Sequence, residues 1–310
     1  MSQPAASTRD GRFDPARQVE VTMHFACNLR CTHCMIEGTM DWLRPEPDAR
    51  FGAILAENAR TGRWDSLTLT GAEITLRRDL PDLARAARAS GFRHVRIQTH
   101  GGRLADPAYA RRLVEAGVDE YFVSVTAADA ETHDGITGIT GSFDATLRGL
   151  EVLDAMPGVL LLTNTVITRR SFHQLELVVQ RLGHLRRLGR MEFWGYWPMR
   201  ETDEKGLIAS HPEVLPHLRA AIAAARGLGR SVAVKNFPEC LLGTDGDALD
   251  NGQPELVIDP DFWPQFMRNG FHQCVHRAAC GSRRCLGLNT AYVAQYGWQA
   301  EVLAPLPREA

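Results

Sequence analysis

The residues best able to do chemistry are the cysteines, and they fall into two groups. Cys27, Cys31 and Cys34 stand in the run Cys-Asn-Leu-Arg-Cys-Thr-His-Cys, and Cys240, Cys274, Cys280 and Cys285 make up the rest of the seven. Three thiolates so close in sequence can wrap three corners of a [4Fe–4S] cube and leave the fourth iron open to a small ligand. An open corner marks catalysis rather than electron storage. A zinc ion with His24 or His33 as its fourth ligand, or a set of buried unligated thiols, is the alternative, but the C-x3-C-x2-C spacing is not a usual zinc spacing. The second group could close another [4Fe–4S] cluster with four thiolates, or hold it on three and leave an iron for substrate. Structural zinc is its rival, with His272 and His276 among the thiols; paired C-x2-C knuckles are missing, so iron–sulfur is the expectation.

Without an apolar secretion signal, seven cysteines speak for metal or redox chemistry rather than disulfides. The opening MSQPAASTRDGRFDP reads as part of a disordered lead-in over residues 1–17, and the chain reads as cytoplasmic. No stretch reaches the roughly 18–20 apolar residues needed to cross a bilayer. With 44% hydrophobic and 23% charged residues and a net charge of −2 over 310 residues, neither nucleic acid nor an anionic membrane is favoured as a partner. Lys205 and Lys235 are the only lysines, an imbalance read as a codon effect.

To position these thiols, short β-rich runs alternate with amphipathic helical stretches, as in βα units around parallel strands. The strands are expected at Val19–Phe25, Leu67–Thr70, Val95–Thr99, Tyr121–Thr126, Val159–Ile167 and Met191–Trp197. Helices are expected at Leu80–Ala89, Ala108–Ala116 and Pro212–Arg226, and a further strand at Val232–Asn236. Six units fall short of a closed eight-unit barrel, so the fold class is α/β, a partial (β/α)6 TIM-like barrel over 18–230, with its active face at the C-terminal strand ends. Residues 231–310 read as a small cysteine-rich, twitch-like domain stapled by metal. The aromatic run Phe193–Met199 ends the last barrel strand and reads as core or as a ligand wall, with Gly195 leaving room for close ligand approach.

The first cysteine run follows the first strand and resembles the hallmark of the radical S-adenosylmethionine (SAM) superfamily. Leu69–Thr75, after the second strand, resembles that family's GGEP motif. The resemblance implies that the backbone and acid of Gly71, Ala72 and Glu73 receive the SAM ammonium, although Ala72 and Ile74 replace the motif's second glycine and proline. Thr99-His100-Gly101 resembles the T-N-G of the MoaA-like and SPASM/twitch branch. Ser124 and Asn164 match strand-end residues that face SAM there, and Leu162 stands where some members carry a lysine. His133-Asp134 and Gly141-Ser142-Phe143 resemble a patterned structural segment of the branch. His33 occupies a position commonly aromatic in the family, where it could stack on adenine or face solvent.

The resemblance implies reductive cleavage of SAM to a 5′-deoxyadenosyl radical, an electron donor of flavodoxin or ferredoxin type, and a second cluster on the four C-terminal cysteines. Radical chemistry of this kind serves many reactions, so the substrate cannot be read from the motifs. The expectation is hydrogen abstraction from a small biosynthetic intermediate, because only a short segment precedes the first strand, where peptide-modifying members often carry a recognition domain. A maturase of a ribosomally made peptide is the alternative. A non-enzymatic electron carrier or a zinc-stapled binding module is a more distant one.

Overall fold

The computed structural model describes residues 14–36 and 41–308. Residues 1–13 of the expected lead-in lie outside this set, while Pro15–Arg17 form one 3-10 turn capped by the Asp14 side chain. The strands are β1 (Gln18–His24), β2 (Ser66–Gly71), β3 (His94–Thr99), β4 (Glu120–Ser124), β5 (Leu160–Ile167), β6 (Leu188–Gly195), β7 (Ser231–Lys235) and β8 (Glu255–Val257). The helices are α1 (Asp48–Thr61), α2 (Leu80–Ala89), α3 (Pro107–Glu115), α4 (Ala130–Thr137), α5 (Ser142–Asp154), α6 (Leu175–Leu182), α7 (His211–Gly227), α8 (Glu239–Leu242), α9 (Phe262–Arg268) and α10 (Thr290–Tyr296).

All strand pairs are parallel, and the sheet order is β7-β6-β5-β4-β3-β2-β1-β8. The six expected barrel strands and the further strand expected at Val232–Asn236 are present, and one unexpected strand, β8, extends the open sheet. β7 pairs with β6, so the sheet continues past residue 230, and β8 adds to the far side of β1.

Alternation along the strands builds two different faces. Val19 and Val21, Leu67 and Leu69, Val95 and Ile97, Met191 and Phe193 face outward into one apolar core, which they share with Ala84 and Ala87 of α2, Leu113 of α3, Val178 and Leu182 of α6, and Leu218 and Ile222 of α7. Each fully buried aliphatic side chain there contributes about 1.5–3 kcal/mol. The intervening positions face inward and are largely polar: Glu20 stands beside Thr68, Thr68 beside Arg96, and Arg96 beside Glu120 in register. Glu20 of β1 feels the charge of Lys235 on β7, although five strands lie between them in the sheet order, so the sheet curls around a lumen. The gap between its edges is bridged by one strip, in which Leu249 pairs with Val234 of β7 and β8 pairs with β1.

Candidate functional site

Cys27, Cys31 and Cys34 lie on the loop that leaves β1 at the C-terminal end of the sheet. A helix end leaves carbonyls without intrahelical partners, and the last turn of α4 uses two to hold this loop: Arg30 N donates to Thr137 O and Thr32 N to Ile136 O, both at 2.8 Å. The α4–α5 corner is in turn fixed by Asp134, which accepts from Gly141 N at 2.6 Å, Ser142 Oγ at 2.8 Å and Phe143 N at 2.8 Å. His133 sits beside Ser142 at 3.2 Å. The H-D…G-S-F segment is therefore a bracket behind the cysteine loop.

The thiols themselves are reached by backbone amides, Leu29 N to Cys27 Sγ at 3.3 Å and Ile36 N to Cys34 Sγ at 3.4 Å. Desolvation, with Glu73 and Cys34 adding to it, pushes the Cys27 thiol up to about 11. Ionising it near neutrality therefore needs positive charge of the kind a metal supplies. Among the described residues, no three of these sulfurs lie within 4.8 Å of one another, whereas thiolates on one tetrahedral zinc sit roughly 3.8 Å apart. Burial, and then the nearby Lys205 and His133, push His33 down to about 4. Its neutral ring is tucked in beside the cysteine loop with Nδ1 buried and unpartnered among the described residues.

The β2 and β3 loops are locked together by Glu73. Its Oε1 accepts from Thr75 N at 3.0 Å, Thr75 Oγ1 at 2.5 Å and Thr99 Oγ1 at 2.7 Å, and its Oε2 accepts from His100 N at 2.9 Å. Thr99 Oγ1 also accepts from Gly101 N at 3.0 Å. A carboxylate so fully engaged has little left for a ligand, so Glu73 and Thr99 brace the loop, and the loop backbone remains to meet one. Gly71 has φ +148°, and a Cβ there would fall 1.7 Å from His24 O. The close approach it permits is to β1, where Ala72 N donates to His24 O at 2.7 Å.

Two residues outside the sequence-derived set complete the clasp. His100 Nδ1 accepts from Gly102 N at 3.1 Å, which leaves the proton on Nε2 to meet Asn28 Oδ1 at 2.9 Å. The only sequence signal for this pair was their place inside the two motifs.

Ser124 and Asn164 are side by side in register at the mouth of the lumen. Asn164 is buried, and its Oδ1 has no hydrogen-bond partner among the described residues. Its neighbour in β6, Glu192, accepts from Arg190 Nε and Trp194 Nε1 at 2.8 Å each, and Arg190 also pairs with Asp250 at 2.6 Å. Deeper in, Arg96 donates to Glu120 at 3.1 Å through both Nε and Nη2, and its guanidinium lies over Phe122 at 5.8 Å. Desolvation pushes Glu20 up to about 7 against the opposing pull of Arg96 and Lys235. Leu162 packs with Phe122, Leu160 and Trp194 inside the lumen.

The aromatic run divides by alternation: Phe193 joins the outer core while Trp194 meets Phe122 at 5.9 Å. Gly195 makes room for β7's end and not for a ligand, since a Cβ there would lie 2.5 Å from Asn236 O. Trp197 stacks on Phe271 at 4.1 Å.

Cys240, Cys274, Cys280 and Cys285 converge on one small cavity of about 30 Å³, which His276 also lines. Amides point at the sulfurs, Glu239 N to Cys285 Sγ at 3.5 Å, Gly287 N to Cys285 Sγ at 3.3 Å and Leu306 N to Cys280 Sγ at 3.3 Å. No three of these thiols, nor two with His276, lie within 4.8 Å of one another among the described residues. His272 is held by Arg277 at 2.8 Å and does not line this cavity.

An open parallel barrel with a cysteine loop at its C-terminal mouth defines a class, and comparison with known proteins places the chain within it. Residues 21–180 match the radical SAM superfamily, and the chain belongs to that superfamily, whose members bind a [4Fe–4S] cluster and SAM. The chain is 32% identical over 205 residues to a probable GTP 3′,8-cyclase of Saccharolobus islandicus, a match covering 61% of this chain and 64% of that protein. Its fold is similar to Streptococcus suis SuiB bound to its precursor peptide SuiA (TM-score 0.56, 15% identity, 76% of this chain and 52% of that one). It is also similar to methylornithine synthase (TM-score 0.52, 13% identity, 97% and 86%). No helix among the described residues is long and apolar enough to cross a membrane.

Proposed function

We propose that this enzyme holds its SAM-binding [4Fe–4S] cluster on Cys27, Cys31 and Cys34, and takes hydrogen from a small polar metabolite seated in the barrel lumen. SAM would lie across the backbone of Gly71 and Ala72, with Ser124 and Asn164 on its nucleoside side, His33 beside the cluster, and Glu73 and Thr99 bracing the loop. Bound there, the reduced cluster and SAM supply a radical that removes a hydrogen atom from substrate; the chain's own work is to orient, to exclude water and to bind. The observation that carries this reading is the order of the layers: three thiols share the loop that leaves β1 at the mouth, an unpartnered Asn164 Oδ1 lies at the strand ends, and a charged lumen lies beneath. The named activity of the Saccharolobus islandicus relative, on a nucleotide, agrees with a small substrate, whereas the likeness to a peptide-bound enzyme is one of fold alone.

The four C-terminal cysteines would hold a second [4Fe–4S] cluster, supported by their convergence on one cavity and by the amides that face their sulfurs, and a flavodoxin- or ferredoxin-type protein would deliver electrons. Anaerobic reconstitution with iron and sulfide, metal counting, and a 5′-deoxyadenosine assay under dithionite test this together. About eight irons per chain and SAM cleavage are expected; four irons with one zinc would overturn the second cluster, and intact SAM would overturn the reading as a whole.

A further inference from the structure

The lumen charges do not cancel among themselves. Arg96 is taken by Glu120, and Arg190 by Glu192 and Asp250, each buried or half-buried. What is left is Glu20 and, on the opposite wall, Lys235, whose charge also reaches the already paired Asp250. Glu20 accepts no hydrogen bond from any described residue, and its surroundings reduce to the charges of Arg96 and Lys235 and a strong desolvation. Lys235 spends one donor on Gly252 O at 2.9 Å and keeps two; its Nζ lies 5.5 Å from the Trp194 ring centre. Glu20 and Lys235 sense each other but form no ion pair within 4.0 Å, so a gap separates them. Phe122 and Trp194, tilted against each other at 5.9 Å, supply an apolar wall beside that gap.

A half-buried carboxylate with no donor among the described residues asks for one; an ammonium across a gap asks for an acceptor. A polyanion such as a triphosphate would need several uncommitted cations, and among the described lumen residues the arginines are already committed to carboxylates. We propose that this gap binds a small zwitterion of the amino-acid class, with its ammonium on Glu20, its carboxylate on Lys235 and its apolar body against Phe122 and Trp194. The inference deepens the small-metabolite reading and rests on it.

The test is calorimetric titration of the oxygen-protected, reconstituted enzyme with SAM already bound, so that the probes cannot enter the SAM site. L-phenylalanine carries both charges, 2-phenylethylamine lacks the carboxylate, and 3-phenylpropionate lacks the ammonium. L-phenylalanine is expected to bind at least tenfold more tightly than either. Glu20→Gln is expected to abolish its advantage over 3-phenylpropionate, Glu20→Asp to restore part of it, and Lys235→Met, on the opposite wall, to abolish its advantage over 2-phenylethylamine. Equal affinities for the three probes would overturn the assignment. So would binding of none of them while SAM still binds and is cleaved, and in that case the radical SAM reading would survive without the zwitterion site.

Discussion

The two cysteine regions are held in opposite ways. The first is a loop pinned from behind by α4 carbonyls and by the His100–Asn28 contact. The second is a cavity whose four thiols face one another across an interior, set in a segment dominated by turns between short helices. The loop's shape comes from its neighbours and survives on hydrogen bonds, whereas the cavity gathers thiols that have little else to bury. A three-thiol loop leaves a corner free for a reactant; a four-thiol cavity serves best as a staple.

The largest effect expected separates these roles. Cys31→Ala should bring 5′-deoxyadenosine formation to background while about four irons per chain remain. A Cys280→Ala/Cys285→Ala double variant should instead lower the melting temperature by roughly 5–10 °C by removing the contribution of the proposed second cluster to folding. If the loop variant lost stability and the cavity variant did not, the contrast would be reversed. Gly71→Ala tests how the mouth is built: the clash with His24 O and the positive φ should cost about 2–4 kcal/mol in denaturant unfolding and leave the cavity's iron content unchanged. Glu73→Gln replaces one acceptor oxygen of a crowded carboxylate by a donor and should cost about 1–3 kcal/mol in the same measurement.

The smallest effect sharpens the contrast between the mouth and the lumen below it. Glu20 is raised to about 7 from 4.5 by desolvation, so the folded protein resists ionisation that the unfolded chain undergoes. Stability is therefore lost as pH rises from about 4.5 to about 7. Glu20→Gln, which carries no such penalty, should match the parent near pH 4.5 and exceed it by about 2 kcal/mol at pH 8, with urea unfolding at the two pH values as the measurement.

Strands that bury both faces announce themselves, which is why β1 to β6 and helices such as Leu80–Ala89 were legible in the sequence, along with both cysteine groups. β8 was not, because Glu255–Val257 is short, partly exposed and flanked by Pro254, and its partner β1 lies far away along the chain. The sequence marks Glu73 as acidic and well placed but does not say how many donors converge on it. The lumen was hidden for a related reason: Glu20, Arg96 and Lys235 interrupt apolar strands one at a time, and only the curl of the sheet brings them together.

The strip that bridges the barrel's edges is strapped from outside. Arg284 Nη1 donates to Leu249 O at 3.1 Å, Asn251 Nδ2 donates to Arg284 O at 3.0 Å, and Arg284 also pairs with Glu239 on the wall of the cysteine cavity. The barrel's one lengthwise joint is thus fastened to the segment between Cys280 and Cys285. A cluster held in that cavity, as proposed above, would thereby also fasten the joint, and a polypeptide without it would have a loosened seam through which dioxygen and water could reach the lumen.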